Sequence, residues 1–107
     1  MNNWISAVFS PTGGTSKISA AIAGARMAGR IDLCEDVNPQ TLPTEAPLLA
    51  VLPVYGGRLP AVAVERLKAL QANGNPAIAV VVYGNRAYED ALLELRNTLT
   101  GIGCRVI

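Results

Sequence analysis

The sequence predicts an α/β fold in which an open, doubly wound parallel sheet carries helices on both faces. Apolar runs of strand length alternate along the chain with helical patterns, and the 107 residues are 50% hydrophobic. Strands that alternate with crossovers form parallel sheets, and the right-handed sense of the crossovers leaves few arrangements. A chain of this length is sufficient for one core. We therefore expect residues 1–107 to form a single domain.

The first half of the chain begins with an apolar strand at Trp4–Phe9 and a helix from about Ser16 to Ala28. The segment Arg30–Cys34 alternates between polar and apolar residues, which is typical of an edge strand, because central parallel strands are apolar on both faces. Asp36–Pro47 contains three prolines and no helical stripe, so we expect an irregular crossover there.

A continuous apolar run at Leu48–Val54 predicts a strand that is covered on both faces. Pro53 cannot donate a ladder hydrogen bond, so it fits only at the end of this strand, where the neighbouring strands separate. A helix should begin near Pro60 and end before Asn73-Gly74, with Val64, Leu67 and Leu70 directed inward.

The last part of the chain predicts one more strand, loop and helix, followed by the start of a fifth strand. Leu92, Leu95 and Leu99 form the apolar stripe of the helix, and Gly101 and Gly103 interrupt the chain after it. The four segments are the strand Ala77–Val82, the loop Tyr83–Ala87, the helix Tyr88–Leu99 and the strand Cys104–Ile107.

A hydroxyl-rich glycine loop, Ser10-Pro11-Thr12-Gly13-Gly14-Thr15, joins the first strand to the first helix. Backbone N–H groups of such a turn and of the helix start point into one concavity, where the helix dipole favours an anion. The spacings of nucleoside-triphosphate and dinucleotide loops are absent. We therefore expect the loop to hold a lone terminal phosphate, the alternative being a simple helix cap and turn.

Composition excludes several other classes of function. The formal net charge is +1, and no basic face is evident for nucleic acid. The chain has no histidine, and Cys34 and Cys104 are widely spaced, so we expect neither a metal site nor an iron–sulfur cluster. No export signal or membrane-length apolar run is visible, and two unpatterned cysteines fit a reducing cytoplasm.

The phosphate loop resembles that of flavodoxins, [TS]-x-T-G-x-T, which binds the 5′-phosphate of FMN. Two further segments, Pro53-Val54-Tyr55-Gly56-Gly57-Arg58 and Tyr83-Gly84-Asn85-Arg86-Ala87-Tyr88-Glu89-Asp90, are similar to flavodoxin-like domains that in some proteins precede a ferredoxin-type iron–sulfur domain. The resemblance implies three layers, αβα, and strand order 2-1-3-4-5. It also implies that the fifth strand is truncated and the final helix missing, so the domain is incomplete at its C-terminal end.

The resemblance implies a site made of three loops. Tyr55 and Tyr88 occupy the positions of the two aromatic rings that stack on the flavin, although each could instead pack at a loop edge or in a helix stripe. Gly56-Gly57 matches the place where family members turn a peptide over on reduction. The FMN-binding residues implied are Ser10, Thr12, Gly13, Gly14, Thr15, Tyr55, Gly56, Gly57, Arg58, Gly84, Asn85 and Tyr88.

The function implied is that of an FMN-binding domain which carries single electrons between redox partner proteins of the ferredoxin or reductase type. Flavodoxins usually crowd acids around the flavin, whereas this chain offers Arg58 and Arg86, which predicts a milder reduction potential. The alternative is a flavodoxin-like module that has lost flavin binding and serves as a structural or interaction domain. A stand-alone flavin-dependent reductase is a third, weaker hypothesis.

Incomplete coverage of the sheet has a further consequence. Without a full fifth strand and final helix, the edge of the fourth strand and apolar surface of the first helix would be poorly protected. The chain is then either part of a longer protein or a homo-oligomer, such as a dimer, formed by edge pairing or by exchange of elements.

Overall fold

The computed structural model describes residues 4–10, 27–43, 46–54, 58–82 and 89–107, and within them it contains seven strands and two helices. The strands are β1 (Trp4–Val8), β2 (Met27–Asp32), β3 (Gln40–Thr41), β4 (Leu48–Pro53), β5 (Leu70–Gln71), β6 (Pro76–Val82) and β7 (Arg105–Val106). The helices are α1 (Ala61–Leu67) and α2 (Glu89–Gly101).

Five of the strands form one parallel sheet in the order β2-β1-β4-β6-β7. Counted in chain order within this sheet, the arrangement is 2-1-3-4-5, as predicted, and β2 lies at an edge, also as predicted. The order reverses between β1 and β4, because β2 is added on one side of β1 and all later strands of this sheet are added on the other side. This reversal creates the switch point at which open α/β sheets bind ligands.

The core of the described residues lies mainly on one face of the sheet. Alternate strand residues such as Ala7, Ala50 and Ala77 meet α1 and α2 there, and Leu67 and Leu95 are fully buried against them. The opposite face carries a smaller cluster of Val8, Leu49 and Val51, with Trp4, Ile78, Val80 and Val82 packed against it. The predicted third layer falls mainly on residues 16–26, which lie outside the described residues.

Strand β4 confirms the prediction of a strand covered on both faces, since all six of its residues are buried. The stripe Val64, Leu67 and Leu70 is buried as predicted. In α2, Leu95 and Leu99 are fully buried, whereas Leu92 is half-buried. Of the two cysteines, Cys104 is buried and Cys34 is half-buried, and neither forms a disulfide.

The element boundaries differ most from the sequence prediction at β2 and at the end of α1. Met27 and Ala28, assigned to the end of the first helix, belong to β2, and the predicted strand Arg30–Cys34 starts three residues earlier and ends at Asp32. The helix predicted to end just before Asn73 ends at Leu67. The residues after it turn and form β5, because their backbone pairs with the crossover that contains β3.

The crossover between β2 and β4 is mostly irregular, as its prolines predict, but it is fixed by hydrogen bonds. Its short strand β3 pairs with β5 in a second, two-stranded parallel sheet. Asn75 is 1% exposed, and its side-chain amide donates to the carbonyl oxygens of Pro43 at 2.8 Å and Ala46 at 2.9 Å. One buried side chain therefore attaches the end of the crossover to the start of β6.

In the part of the chain that the structure describes, none of the helices combines the length and apolarity needed to cross a bilayer.

Candidate functional site

The candidate site is the crevice at the carboxyl ends of β1, β4 and β6. In the register of the sheet, Val8 of β1 lies beside Val51 of β4, and Pro53 lies beside Val82 of β6. Backbone bonds carry the pairing one residue further, from the Phe9 N–H to the Val51 carbonyl oxygen at 3.2 Å. The chain segments that follow β1, β4 and β6 therefore leave the sheet at the same edge. Those that follow β1 and β4 lie on the two sides of the switch point.

Pro53 ends β4 at the point where its missing N–H costs least. The next N–H, that of Val54, donates to the carbonyl oxygen of Val82 on the β6 side at 2.9 Å. Successive residues of a strand direct their N–H groups to opposite sides, so the nitrogen of Pro53 faces the β1 side. There the strand pairing has already ended at Val8 and Val51, as the sequence predicts. Among the described residues, the pairing of β1 with β4 therefore stops before Pro53.

The structure describes two of the twelve predicted cofactor-binding residues. Ser10 is half-buried two residues after the end of β1, and Arg58 is exposed three residues before the start of α1. Both positions are in segments that leave the carboxyl edge of the sheet. The other ten lie outside the described residues: Thr12, Gly13, Gly14, Thr15, Tyr55, Gly56, Gly57, Gly84, Asn85 and Tyr88.

Sequence reasoning missed an acidic cavity at the carboxyl end of the edge strand β2. This open cavity of about 340 Å³ is lined by Ile31, Asp32, Glu35, Asp36, Val37, Asn38 and Gln40. The available signal was the run of acids that immediately follows β2. Since β2 is parallel to β1, these carboxylates lie at the same edge of the sheet as the switch point, one strand further out.

Two of these carboxylates have partners within the fold. The Oδ1 atom of Asp32 accepts a hydrogen bond from the N–H of Cys34 at 2.9 Å and so closes the turn after β2. Asp36 pairs with Arg66 of α1 at 3.3 Å, and the same guanidinium donates to the carbonyl oxygen of Leu33 at 2.9 Å. Because the Asp36 side chain is fully exposed, the bond to Leu33 is the stronger link between α1 and this turn.

One of the two cysteine thiols is buried. Burial raises the pKa of the Cys104 thiol, which lies directly before β7 and hence at the amino edge of the sheet. In the described part of the chain, no group of three or more His, Cys, Asp or Glu residues could hold a metal ion.

Comparison with solved structures identifies the fold. Oxidised flavodoxin 1 from Bacillus cereus superposes with a TM-score of 0.65 at 16% sequence identity, covering 98% of this chain and 79% of that chain. A provisionally assigned flavoprotein from Bacteroides uniformis superposes with a TM-score of 0.69 at 15% identity, covering 97% of this chain and 87% of that chain. The chain has a flavodoxin-like fold.

Sequence comparisons add no assignment, since no protein-family model and no protein with a curated description matches this chain. At 15–16% identity, the flavodoxin-like structures establish the arrangement of strands and helices. They do not transfer a cofactor or a residue role, because one fold supports many functions. The functional argument therefore depends on the chemistry of this chain's own residues at the switch point.

Proposed function

We propose that this chain binds FMN at the carboxyl edge of its sheet and carries single electrons between redox partner proteins in the cytoplasm. The observation that carries the proposal is the switch point between β1 and β4, from which β1 leads directly into the hydroxyl and glycine loop of residues 10–15. Ligands of open α/β sheets bind at such a position, and the loop has the composition of a phosphate cradle.

The residue chemistry fits a mononucleotide that carries one terminal phosphate. Ser10, Thr12 and Thr15 supply hydroxyl donors, and Gly13 and Gly14 allow the backbone to approach the phosphate closely. FMN, when bound, supplies reversible uptake and release of electrons by its ring system. The protein's part is to orient that ring, and we assign stacking on it to Tyr55 and Tyr88.

Charge near the ring is the second contribution of this chain. Arg58 is exposed in the segment between β4 and α1 and forms no ion pair with any described residue. A nearby cation stabilises negative charge that a bound group gains on reduction. We therefore propose that Arg58 makes the reduction potential less negative, and that an Arg58→Gln variant shifts the measured potential to a more negative value.

Binding of FMN by the purified apo-protein is the direct test. We expect saturable, one-to-one quenching of FMN fluorescence. A Thr12→Val, Thr15→Val double variant should weaken FMN binding at least about tenfold, because it removes two hydrogen bonds to a charged phosphate. Riboflavin, which lacks the phosphate, should bind the parent and the double variant equally.

A matched control is Thr100→Val. Thr100 lies near the C-terminal end of α2, at the opposite edge of the sheet, and its hydroxyl donates to the Arg96 carbonyl oxygen within the helix. This variant should bind FMN like the parent. If folded parent protein leaves FMN fluorescence unchanged, the proposal is wrong and the alternative of a module without flavin is favoured. NADPH oxidation by the FMN-loaded protein alone would instead favour the reductase.

A further inference from the structure

The turn between β5 and β6 contains the one Asn-Gly pair of the sequence, Asn73-Gly74. The turn precedes β6 and therefore lies at the amino edge of the sheet, away from the switch point. Both residues are exposed, and Gly74 has open space around it. The side-chain amide of Asn73 forms no hydrogen bond with any described residue. Within the described part of the chain, a free primary amide thus lies beside a backbone nitrogen that no side chain shields.

This arrangement favours loss of the Asn73 amide. Asparagine is thermally labile, because the backbone nitrogen of the next residue can attack its side-chain carbonyl carbon. The Gly74 nitrogen loses its proton and bonds to Cγ of Asn73, the bond from Cγ to the side-chain nitrogen breaks, and ammonia leaves. Water then opens the five-membered imide at one of its two carbonyl carbons. The products are aspartate and isoaspartate, and in isoaspartate the main chain runs through Cβ and Cγ.

The other asparagines of the described residues lack such a nucleophile. Asn38 and Asn75 each precede a proline, which has no N–H. Asn97 lies inside α2, where the N–H of the next residue belongs to the hydrogen-bond ladder of the helix. The reaction therefore selects Asn73 among them.

One hydrogen bond restrains the nucleophile in the folded chain. The N–H of Gly74 donates to the carbonyl oxygen of Gly103 at 2.8 Å. A neighbouring bond, from the Ala72 N–H to the Ile102 carbonyl oxygen at 2.8 Å, holds the same two segments together. An N–H in such a bond gives up its proton only when the structure opens locally. Attack on Asn73 therefore waits until the turn separates from the residues that follow α2.

We propose that Asn73 is a site of spontaneous deamidation, and that opening of the bond between Gly74 and Gly103 sets its rate in the folded protein. The isoaspartate product lengthens the main chain between residues 73 and 74 by one carbon. That carbon lies within the ring that the Asn73 N–H closes with Oδ1 of the buried Asn75 at 2.9 Å. Isoaspartate therefore disturbs the side chain that holds the crossover, whereas aspartate keeps the normal main chain and adds only an exposed charge.

Two rates measured on the intact chain test the control by this hydrogen bond. Mass spectrometry of proteolytic fragments measures deamidation at each asparagine, in the folded and the urea-unfolded chain at the same pH. Hydrogen exchange of the Gly74 amide, followed by NMR, measures how rarely its bond opens. The ratio of unfolded to folded deamidation rates at Asn73 should equal the protection factor of this amide, because both reactions need the same opened N–H. A ratio that differs by an order of magnitude, or faster deamidation of Asn97 in the folded chain, would overturn the proposal.

A matched control is Asn73→Gln, which keeps an exposed amide but requires a six-membered ring, so this position should remain unmodified. The stability of the separated products tests the link to Asn75. The isoaspartate form should melt roughly 4–8 °C below the parent, the shift that loss of one hydrogen bond gives in a domain of this size. Asn73→Asp, which reproduces the other product, should melt like the parent. Equal melting temperatures for the isoaspartate form and Asn73→Asp would refute this link.

Discussion

Replacing Asn75 with alanine should destabilise the fold more than any other single loss of a polar side chain among the described residues. Asn75 is 1% exposed and makes three side-chain hydrogen bonds, all to backbone groups. Its amide nitrogen donates to Pro43 and Ala46, and its Oδ1 atom accepts from the N–H of Asn73 at 2.9 Å. These bonds hold the irregular crossover where most parallel sheets place a helix.

The expected loss of unfolding free energy in Asn75→Ala depends on the hydrogen bonds that are lost and on those that their backbone partners keep. Three hydrogen bonds contribute about 1 kcal/mol each, which gives about 3 kcal/mol. The Pro43 carbonyl oxygen keeps a second bond, from the N–H of Ala46 at 3.2 Å, and Asn73 is exposed enough for water to replace its lost acceptor. These two remaining contacts reduce the loss of unfolding free energy, whereas the cavity left by the missing side chain increases it. We expect a loss of about 2–4 kcal/mol in the free energy of unfolding.

Thermal unfolding followed by circular dichroism measures this loss, which corresponds to a fall in melting temperature of roughly 10–20 °C for a domain of this size. The control is Asn73→Ala, because only the backbone N–H of Asn73 takes part in the cluster, and this variant should lie within about 0.5 kcal/mol of the parent. Equal melting temperatures for the two variants would contradict the role assigned to Asn75.

The Asn75→Asp variant examines the same cluster without changing its volume. Its carboxylate would place an oxygen against the carbonyl oxygens of Pro43 and Ala46, where the native amide donates. Burial and this repulsion should raise the pKa of the new carboxyl in the folded state, so the variant should regain stability relative to the parent as the pH falls below neutral. A penalty that does not change with pH would argue against these contacts.

The other predictions concern glycines and one cysteine. Gly103 has a φ of +105°, and a Cβ there would overlap the Ala72 carbonyl oxygen, so Gly103→Ala should cost about 3 kcal/mol or more in unfolding free energy. Gly74 has a φ of +76° but open space around it, so Gly74→Ala should cost about 1–2 kcal/mol. Gly101 is the last residue of α2 and is unobstructed, so Gly101→Ala should stabilise the fold by about 0.5 kcal/mol in the same denaturation assay. Any other rank order of the three variants would contradict the backbone argument. Because burial raises the pKa of Cys104, its thiol supports stability below the unfolded-state pKa of about 8.5 and loses that effect as the pH rises toward the folded-state value. Urea unfolding from pH 7 to 10 should therefore show a steeper decline in the parent than in Cys104→Ala, and parallel curves would refute this.

The strands of the main sheet were predictable because their sequence signals are local. Leu48–Val54 is apolar without interruption, and burial on both faces is the only environment that suits such a run in a small domain. The helix from Tyr88 to Leu99 has a clear stripe, and it was placed within two residues of α2. The reversal of strand order followed from the flavodoxin resemblance.

The short elements were not predictable, because pairing between distant segments decides them. Leu70 continues the helical stripe of Leu67, and both conformations bury it, so periodicity alone favoured a longer helix. The structure instead uses the backbone of Leu70 and Gln71 to pair with Gln40 and Thr41, about 30 residues away. The acidic cavity beside β2 was missed although the predicted order placed β2 next to β1, because the turn that lines it is held by contacts with the distant Arg66.

The sequence by itself determined the class of fold, the main strands and the hydroxyl- and glycine-rich composition of residues 10–15, because these depend on local periodicity and side-chain chemistry. Only the tertiary structure decided that an irregular crossover is held by the buried amide of Asn75, and that the backbone of Leu70 and Gln71 pairs with that of Gln40 and Thr41. Both features depend on hydrogen bonds between segments far apart in the chain, and a backbone amide carries no sign of its partner in the sequence.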